Sequence, residues 1–512
     1  MLLVIGDPKT GGFNGGVKLG ISNNDLAVNE SPEMYNFLVD ESGLVKMPGS
    51  WKDHETEITA ATGITGLYRF FDGTVFKTFA KCGTKVVEVK AEEAHTDIAT
   101  GLKGDVEIQF ESWFSRYFFV DGSDLWSGEN GVASKVEIKD ENGVKRLDND
   151  IPKGLSIALH NQRLWISRNS SYPTYVYFSE MDFYERWKVN GWVACDRDDG
   201  QSITGMIAHN GKIIVWKRYK MFFIQGDPSL GNLSVIRGPD CGAYDQKSIV
   251  NCPDGFVRWY GPDGIWEYSD STGVQRISRN IDSELKKITD TNRSKACAGA
   301  WDRYYVFFYP HRSGSSYNNR GLAYDTWLKI WMPIKGWNIS CLCRFEDNTL
   351  HGGCADSGFV KKLFYGTTND GEETECYWES KFLLFPGMIY ALNKIRASVK
   401  EGQSLLISWQ SDYESNISGS YEVYQPIKGG LLADEDDEPE DTDFWVGDIE
   451  EPGDGNDMLL SEDDEGAFHA EFFDRIKPGQ NFREIKFSFY NKSIEALNLD
   501  YLEVTLDPVR RL

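Results

Sequence analysis

The chain has 512 residues, 13% of them aromatic, with 50 Gly and 54 Lys and Arg against 79 Asp and Glu, for a net charge of −25. That length admits about three average domains or one large all-β architecture. No stretch approaches the ~18 apolar residues of a membrane-spanning helix, and no basic stripe is present to neutralise DNA phosphates.

The charge is local. Seventeen Asp and Glu and no Lys or Arg fall between Asp434 and Glu465. Aromatic and glycine richness with frequent turn dipeptides points to an all-β chain. Nine cysteines are scattered, odd in number and without CxxC, which predicts buried free thiols in a reducing compartment. The opening MLLVIGDPKTGG lacks a basic n-region and a long apolar core, so no signal peptide is expected.

Residues 1–60 read as an extended arm and one hairpin. Tyr35, Phe37 and Val39 alternate up to a turn at Glu41-Ser42-Gly43, and Leu44 and Val45 return from it. An arm with so little core of its own needs another surface to lie on.

From about Gly63 a loose strand–turn–strand repeat begins, with starts about 40 to 60 residues apart. Its units include GLYRFFDGTVFKTFAKCGTKVVEV, ITGMIAHNGKIIVWKRYKMFFIQGD and ISCLCRFEDNTLHGGCADSGFVKKLF. In the central unit, Phe256, Arg258 and Tyr260 alternate with Val257 and Trp259, predicting a strand with two different faces. Pro262-Asp263-Gly264 and Ser271-Thr272-Gly273 supply its turns. Only Ile281 to Ile288 has a helical look, with Asp282 or Ser283 as N-cap. Units of this kind with no helices between them favour radial closure, which protects strand edges. The predicted fold is therefore an all-β β-propeller of six to eight blades over 61–368. It follows the N-terminal arm and precedes a β-sandwich-like domain over 369–512.

In that last domain CYWESKFLLFPG, LNKIRASVK, SLLISWQSD, EIKFSFYN and LDYLEVTLD read as strands. The acidic insertion 431–466 interrupts them, and its low apolar content favours disorder. Phe444, Trp445 and Val446 in its middle suit docking on a partner instead.

Sites for chemistry are sparse. Cys341, Cys343, His351 and Cys354 are four candidate zinc ligands, but CxC is an unusual spacing and buried thiols are common. Lys217, Arg218 and Lys220 suit either a phosphate contact or strand-edge charges against aggregation. VDGSDLW (120–126) and PDGIW (262–266) resemble the structural Asp-box turns of sialidase-type propellers. His160, His209, His311 and His351 stand without the Ser or Cys spacing of nucleophilic catalysis. There is no GxxxxGK[ST], no GxGxxG after a strand and no HExxH.

One family resemblance covers most of residues 10–400. The opening GVKLGISNNDLAVNESPEMYNFLVDESGLVKMPG, with Lys46 before Pro48-Gly49, is similar to the start of a group of bacteriophage tail proteins. The segments DGFVRWYGPDGIWEYSDSTGVQRISRNIDSEL and AYDTWLKIWMPI resemble further parts of them. Arm, propeller and C-terminal β domain stand in the order of the tail hub or nozzle of short-tailed phages. The resemblance implies a non-enzymatic virion protein without cofactor or metal, made in the host cytoplasm. It would form a homo-oligomeric, hexameric ring below the portal and adaptor, with a tail fibre or tailspike attached. Double-stranded DNA would pass through without sequence-specific binding. Were the acidic stretch to line such a ring, Asp434, Glu435, Asp436, Asp437, Glu438, Asp463, Asp464 and Glu465 would repel DNA. The alternatives are a tail-tip propeller that binds host surface glycan and a glycan-cleaving enzyme, which would need paired carboxylates in a cleft.

Overall fold

The structure, a computed structural model, describes the chain apart from residues 7–11, 41–42, 59–62, 105, 147–151, 313–314, 316, 402–403, 412–417, 425–457, 463–467, 473–480 and 512. It comprises two compact units. One is Pro48–Gly371; the other joins Met1–Met47 to Glu372–Leu512.

Pro48–Gly371 is a propeller of seven four-stranded antiparallel sheets. Blades one to six begin with Ile64–Phe71, Gln109–Trp113, Ser156–His160, Ile203–His209, Val250–Asn251 and Cys297–Trp301, and blade seven with Ile339–Arg344. Each first strand, extended in blade five by the turn Gln246–Ser248, touches those of its two neighbours, and blade seven touches blade one. The circle is complete. Blade seven takes its fourth strand, Ser50–Lys52, from the start of the unit, with Ser50, Trp51 and Lys52 opposite Leu363, Lys362 and Lys361. The propeller therefore begins at Pro48 rather than 61, because a three-residue closing strand shows no periodicity of its own.

Apolar clusters fill the space between successive blades. Phe70, Phe79 and Val86 of blade one meet Phe110, Tyr117 and Phe119 of blade two. Ile214 and Trp216 of blade four likewise meet Val257 and Trp259 of blade five. Full burial of such a side chain contributes roughly 1.5–3 kcal/mol. Every blade thus has both faces covered, and Val257–Gly261 is buried at all five positions. The alternation in this strand separates two dry faces, not a dry face from a wet one. The helix expected over 281–288 shrinks to Asp282–Leu285, and its N-cap is Ile281, not Asp282 or Ser283.

Two hairpin glycines are required here. Gly264 takes φ +124°, and a Cβ on Gly261 would lie 2.1 Å from the Gly242 carbonyl oxygen.

The second unit has an eight-stranded and a six-stranded antiparallel sheet. The hairpin Phe37–Asp40 and Gly43–Lys46 forms as expected and continues the first sheet, with Leu44 opposite Leu499. Leu2–Ile5 pairs with the strand Asn498–Arg511, and Glu33–Tyr35 with Thr374–Glu379. These N-terminal residues are sheet members rather than a separate arm, since the strands at the other end of the chain satisfy their backbone groups. Glu484–Ser493 shows the wet–dry alternation of a one-sided sheet, with Ile485, Phe487 and Phe489 buried. Inside the span expected to be disordered, Met458–Glu462 is a strand paired with Phe468–Phe472. Leu459 and Leu460 give it the apolar content that its acidic surroundings lack.

Candidate functional site

The seven first strands surround a cavity of about 480 Å³ on the propeller axis. Its walls include Leu67, Phe110, Ile207, Val250, Ala298 and Leu342, so at least six blades contribute. A space of this size suits a small molecule or a few waters, not a DNA duplex.

The strand edges facing the axis carry backbone groups that no fifth strand can pair. Side chains from the next blade take that place. On blade two Gln109 Oε1 accepts from Ile157 N at 3.1 Å and Glu111 Oε2 from Leu159 N at 3.1 Å. Two side chains two residues apart thus mimic a strand against blade three. Gln246 Oε1 accepts from Met206 N at 2.7 Å and from the Ser156 hydroxyl at 3.0 Å. Thr204 Oγ1 donates to Ala243 O at 2.9 Å, and Asn251 Nδ2 to Ala208 O at 2.9 Å.

Two ion pairs stand at the cavity. Glu107 pairs with Lys247, and Arg168 with Asp245 at 2.9 Å. Burial pushes the Lys247 ammonium down, and pushes the Asp245 carboxyl up against the pull of Arg168. Burial also raises Glu111, opposed by the two backbone N–H groups it accepts from. Thr65 Oγ1 is a buried wall atom without a hydrogen-bond partner among the described residues. The arrangement can stabilise a closed ring and hold water, and it sets Cys297 and Cys341 within electrostatic reach of Lys247.

Apart from Cys341 and Cys343, which also line the cavity, these residues did not stand out in the sequence. The signal was faint: the polar positions 109 and 111 alternate with Phe110 in a stretch otherwise rich in aromatics.

The eight acidic candidates, Asp434, Glu435, Asp436, Asp437, Glu438, Asp463, Asp464 and Glu465, lie outside the described residues, as do Phe444, Trp445 and Val446. The basic cluster has neither expected role. Lys217 lies on an interior strand, fully buried, donating to Asp199 Oδ1 and Asp196 O at 2.7 Å each. Lys220 binds the same two aspartates, and Arg218 covers the Tyr244 ring at 4.2 Å. The two aspartates sit about twenty residues upstream, where no sequence pattern links them to the lysines.

The sheet register brings together only two of the zinc candidates, Cys343 and His351. Cys341 lies opposite Gly353, Cys343 opposite His351 and Cys354 opposite Ile339. His351 is committed to Asp53 at 2.5 Å and Thr349 at 2.8 Å. Among the described residues no group of three or more His, Cys, Asp and Glu is placed to hold a metal. Asp121 behaves as a structural turn aspartate: Oδ1 accepts from Ser123 N and Asp124 N, and Oδ2 from Trp126 Nε1 at 3.1 Å.

No protein-family model matches the chain, and no curated protein matches it. Among solved structures it is similar to the extracellular domain of a protein described as a one-component system from B. thetaiotaomicron. The identity is 11% and the TM-score 0.43, over 82% of this chain and 51% of that one. The chain thus spans about half the length of that relative. It is also similar to the WD40 domain of Pan2 from Neurospora crassa, with 5% identity and TM-score 0.38 over 63% and 97% of the two chains. The WD40 domain of coronin from Toxoplasma gondii matches with 10% identity and TM-score 0.32, over 65% and 87%. The chain's own seven four-stranded sheets, closed in a circle, show its architecture. The chain is an all-β propeller protein.

Proposed function

We propose that the chain is a structural component of a short-tailed phage tail, a hub or nozzle subunit. One observation carries the reading: a closed propeller is inserted into a β unit built from both ends of the chain. The propeller lies between N-terminal and C-terminal segments, as in the tail proteins that the sequence resembles, although here the N-terminal segment joins the C-terminal sheets instead of forming a separate arm. The residues of that resemblance also serve the scaffold. Lys46 Nζ is buried and donates to Ser493 O at 2.7 Å and Glu495 O at 3.2 Å. Gly49 leaves no room for a side chain, since a Cβ would lie 1.9 Å from Thr368 O. Trp331 of AYDTWLKIWMPI donates from Nε1 to Ile277 O at 2.8 Å, fastening blade six to blade five.

In this reading copies assemble around the exit path of the genome, and DNA runs between copies. The axial cavity of each propeller is too small for it. The subunit joins the head-side adaptor to distal tail parts. Mass spectrometry of purified virions whose genome encodes this chain is the test. Stoichiometric presence in intact particles is expected; its absence from them, with abundant chain left in the lysate, overturns the reading.

A further inference from the structure

Beyond Ser50–Lys52, residues 53–58 continue along blade seven and reach blade one. Asp53 N donates to Val360 O at 2.9 Å, Ile58 N to Gly358 O at 3.2 Å, and Glu55 N to Ala91 O at 3.1 Å. Three of the seven histidines of the chain gather on this segment, His54, His95 and His351.

Two of them have their tautomers fixed by the backbone. His54 Nε2 accepts from Val360 N at 3.0 Å, so Nδ1 bears the proton and donates to Thr56 O at 2.7 Å. His95 Nδ1 accepts from Lys90 N at 3.2 Å, so Nε2 donates to the same Thr56 O at 2.7 Å. A backbone N–H only donates and a carbonyl only accepts, so each ring fits as neutral imidazole. The rings meet edge to face at 4.8 Å. A second proton on His54 would point at the Val360 N–H, and one on His95 at the Lys90 N–H. Each would replace a hydrogen bond with a repulsion, inside a site where His54 is 3% exposed.

The charges around His54 come from three sides. Asp53 and Glu57 belong to its own segment; Asp53 is engaged by His351 of blade seven, and Glu57 by the Gly358 N–H at 2.8 Å. Lys52 Nζ lies 4.5 Å from the Phe359 ring, which stacks on His54 at 5.4 Å. From blade one come His95 and the Lys90–Glu93 pair at 3.1 Å. Burial first, and then His95, lower His54 below the ordinary value of 6.5 against the pull of Thr56 O, Asp53 and Glu57.

We propose that His54 and His95 form an acid-released latch on the strand that closes the propeller. While both rings are neutral they hold residues 50–58 against blades seven and one; protonation frees the segment and opens the circle there. The sign follows from the lowered His54: its contribution is complete above about pH 6.5 and is lost as pH falls toward the folded value.

Amide hydrogen exchange on the full chain, corrected for intrinsic rates, tests this at about pH 7.5 and about pH 5. The amides of Asp53, Ile58 and Val360 are expected to lose at least about tenfold protection in acid, while blade-four amides hold theirs. The double variant His54→Gln, His95→Gln is expected to lose that selective acid response. Equal protection at both pH values, or equal loss in blade four, overturns the latch. So does a folded double variant that keeps the full response. Should the variant not fold, the wild-type comparison decides alone.

Discussion

Arg258 and Glu267 face each other across the two middle strands of blade five, with Nη2 and Nε of the guanidinium 2.9 and 3.1 Å from Oε2. Arg258 is fully buried and also grips Asp254 through two further bonds of 3.0 and 2.7 Å. A buried charge is tolerated only when paired, and removing one partner leaves the other stranded. Arg258→Met, which strands the buried Glu267 carboxylate, is therefore expected to cost about 3–5 kcal/mol. Replacing both Arg258 and Glu267 by apolar residues should cost much less, as read from denaturant midpoints. Equal cost in the single and double variants would contradict the pairing.

Asp121 ties its turn to Trp126. In Asp121→Ala two backbone donors and the indole lose their acceptor, each worth about 1 kcal/mol. The loss should appear in thermal unfolding with the fold intact by far-ultraviolet circular dichroism. A variant as stable as wild type would remove the turn role.

Eight of the nine thiols are buried, and Cys343 is half-buried. Burial pushes Cys195, Cys297 and Cys376 up to about 12. Thiolates are the reactive form, so these should resist a disulfide reagent near pH 8 in the native chain. Unfolding without reductant should release nine titratable thiols. Fewer would reveal a disulfide.

Asp270 accepts from Lys212, from the Tyr268 hydroxyl at 2.6 Å and from Asn210 Nδ2 at 3.2 Å. Lys212 first, then Tyr268, hold its carboxyl down at about 2. Its contribution is present above the ordinary 3.8 and lost as pH falls through about 2. Wild type should exceed Asp270→Asn in unfolding midpoint near neutrality, with the gap closing toward that low pH. A gap independent of pH would show that Asp270 is not charged in the fold.

What was legible in the sequence was local. Asp263-Gly264 and Ser271 to Gly273 form their turns because those residue types need no distant help. The repeats became sheets because each carries its own hairpins, and the seven found fall within the expected six to eight. Closure was hidden, since Ser50 to Lys52 find Val360 to Leu363 only once the circle has formed. The same reason concealed the fates of Lys217 and Arg258, whose burial depends on carboxylates that the fold delivers. Gln109, Glu111 and Gln246 looked like ordinary polar residues because their partners are backbone amides of another blade.

The most direct test of the structural-subunit reading is electron microscopy of intact virions carrying a gold label on this chain. The account predicts label in a ring of copies on the tail axis beneath the head. Label confined to single copies at fibre tips, or none on the particle, would contradict it.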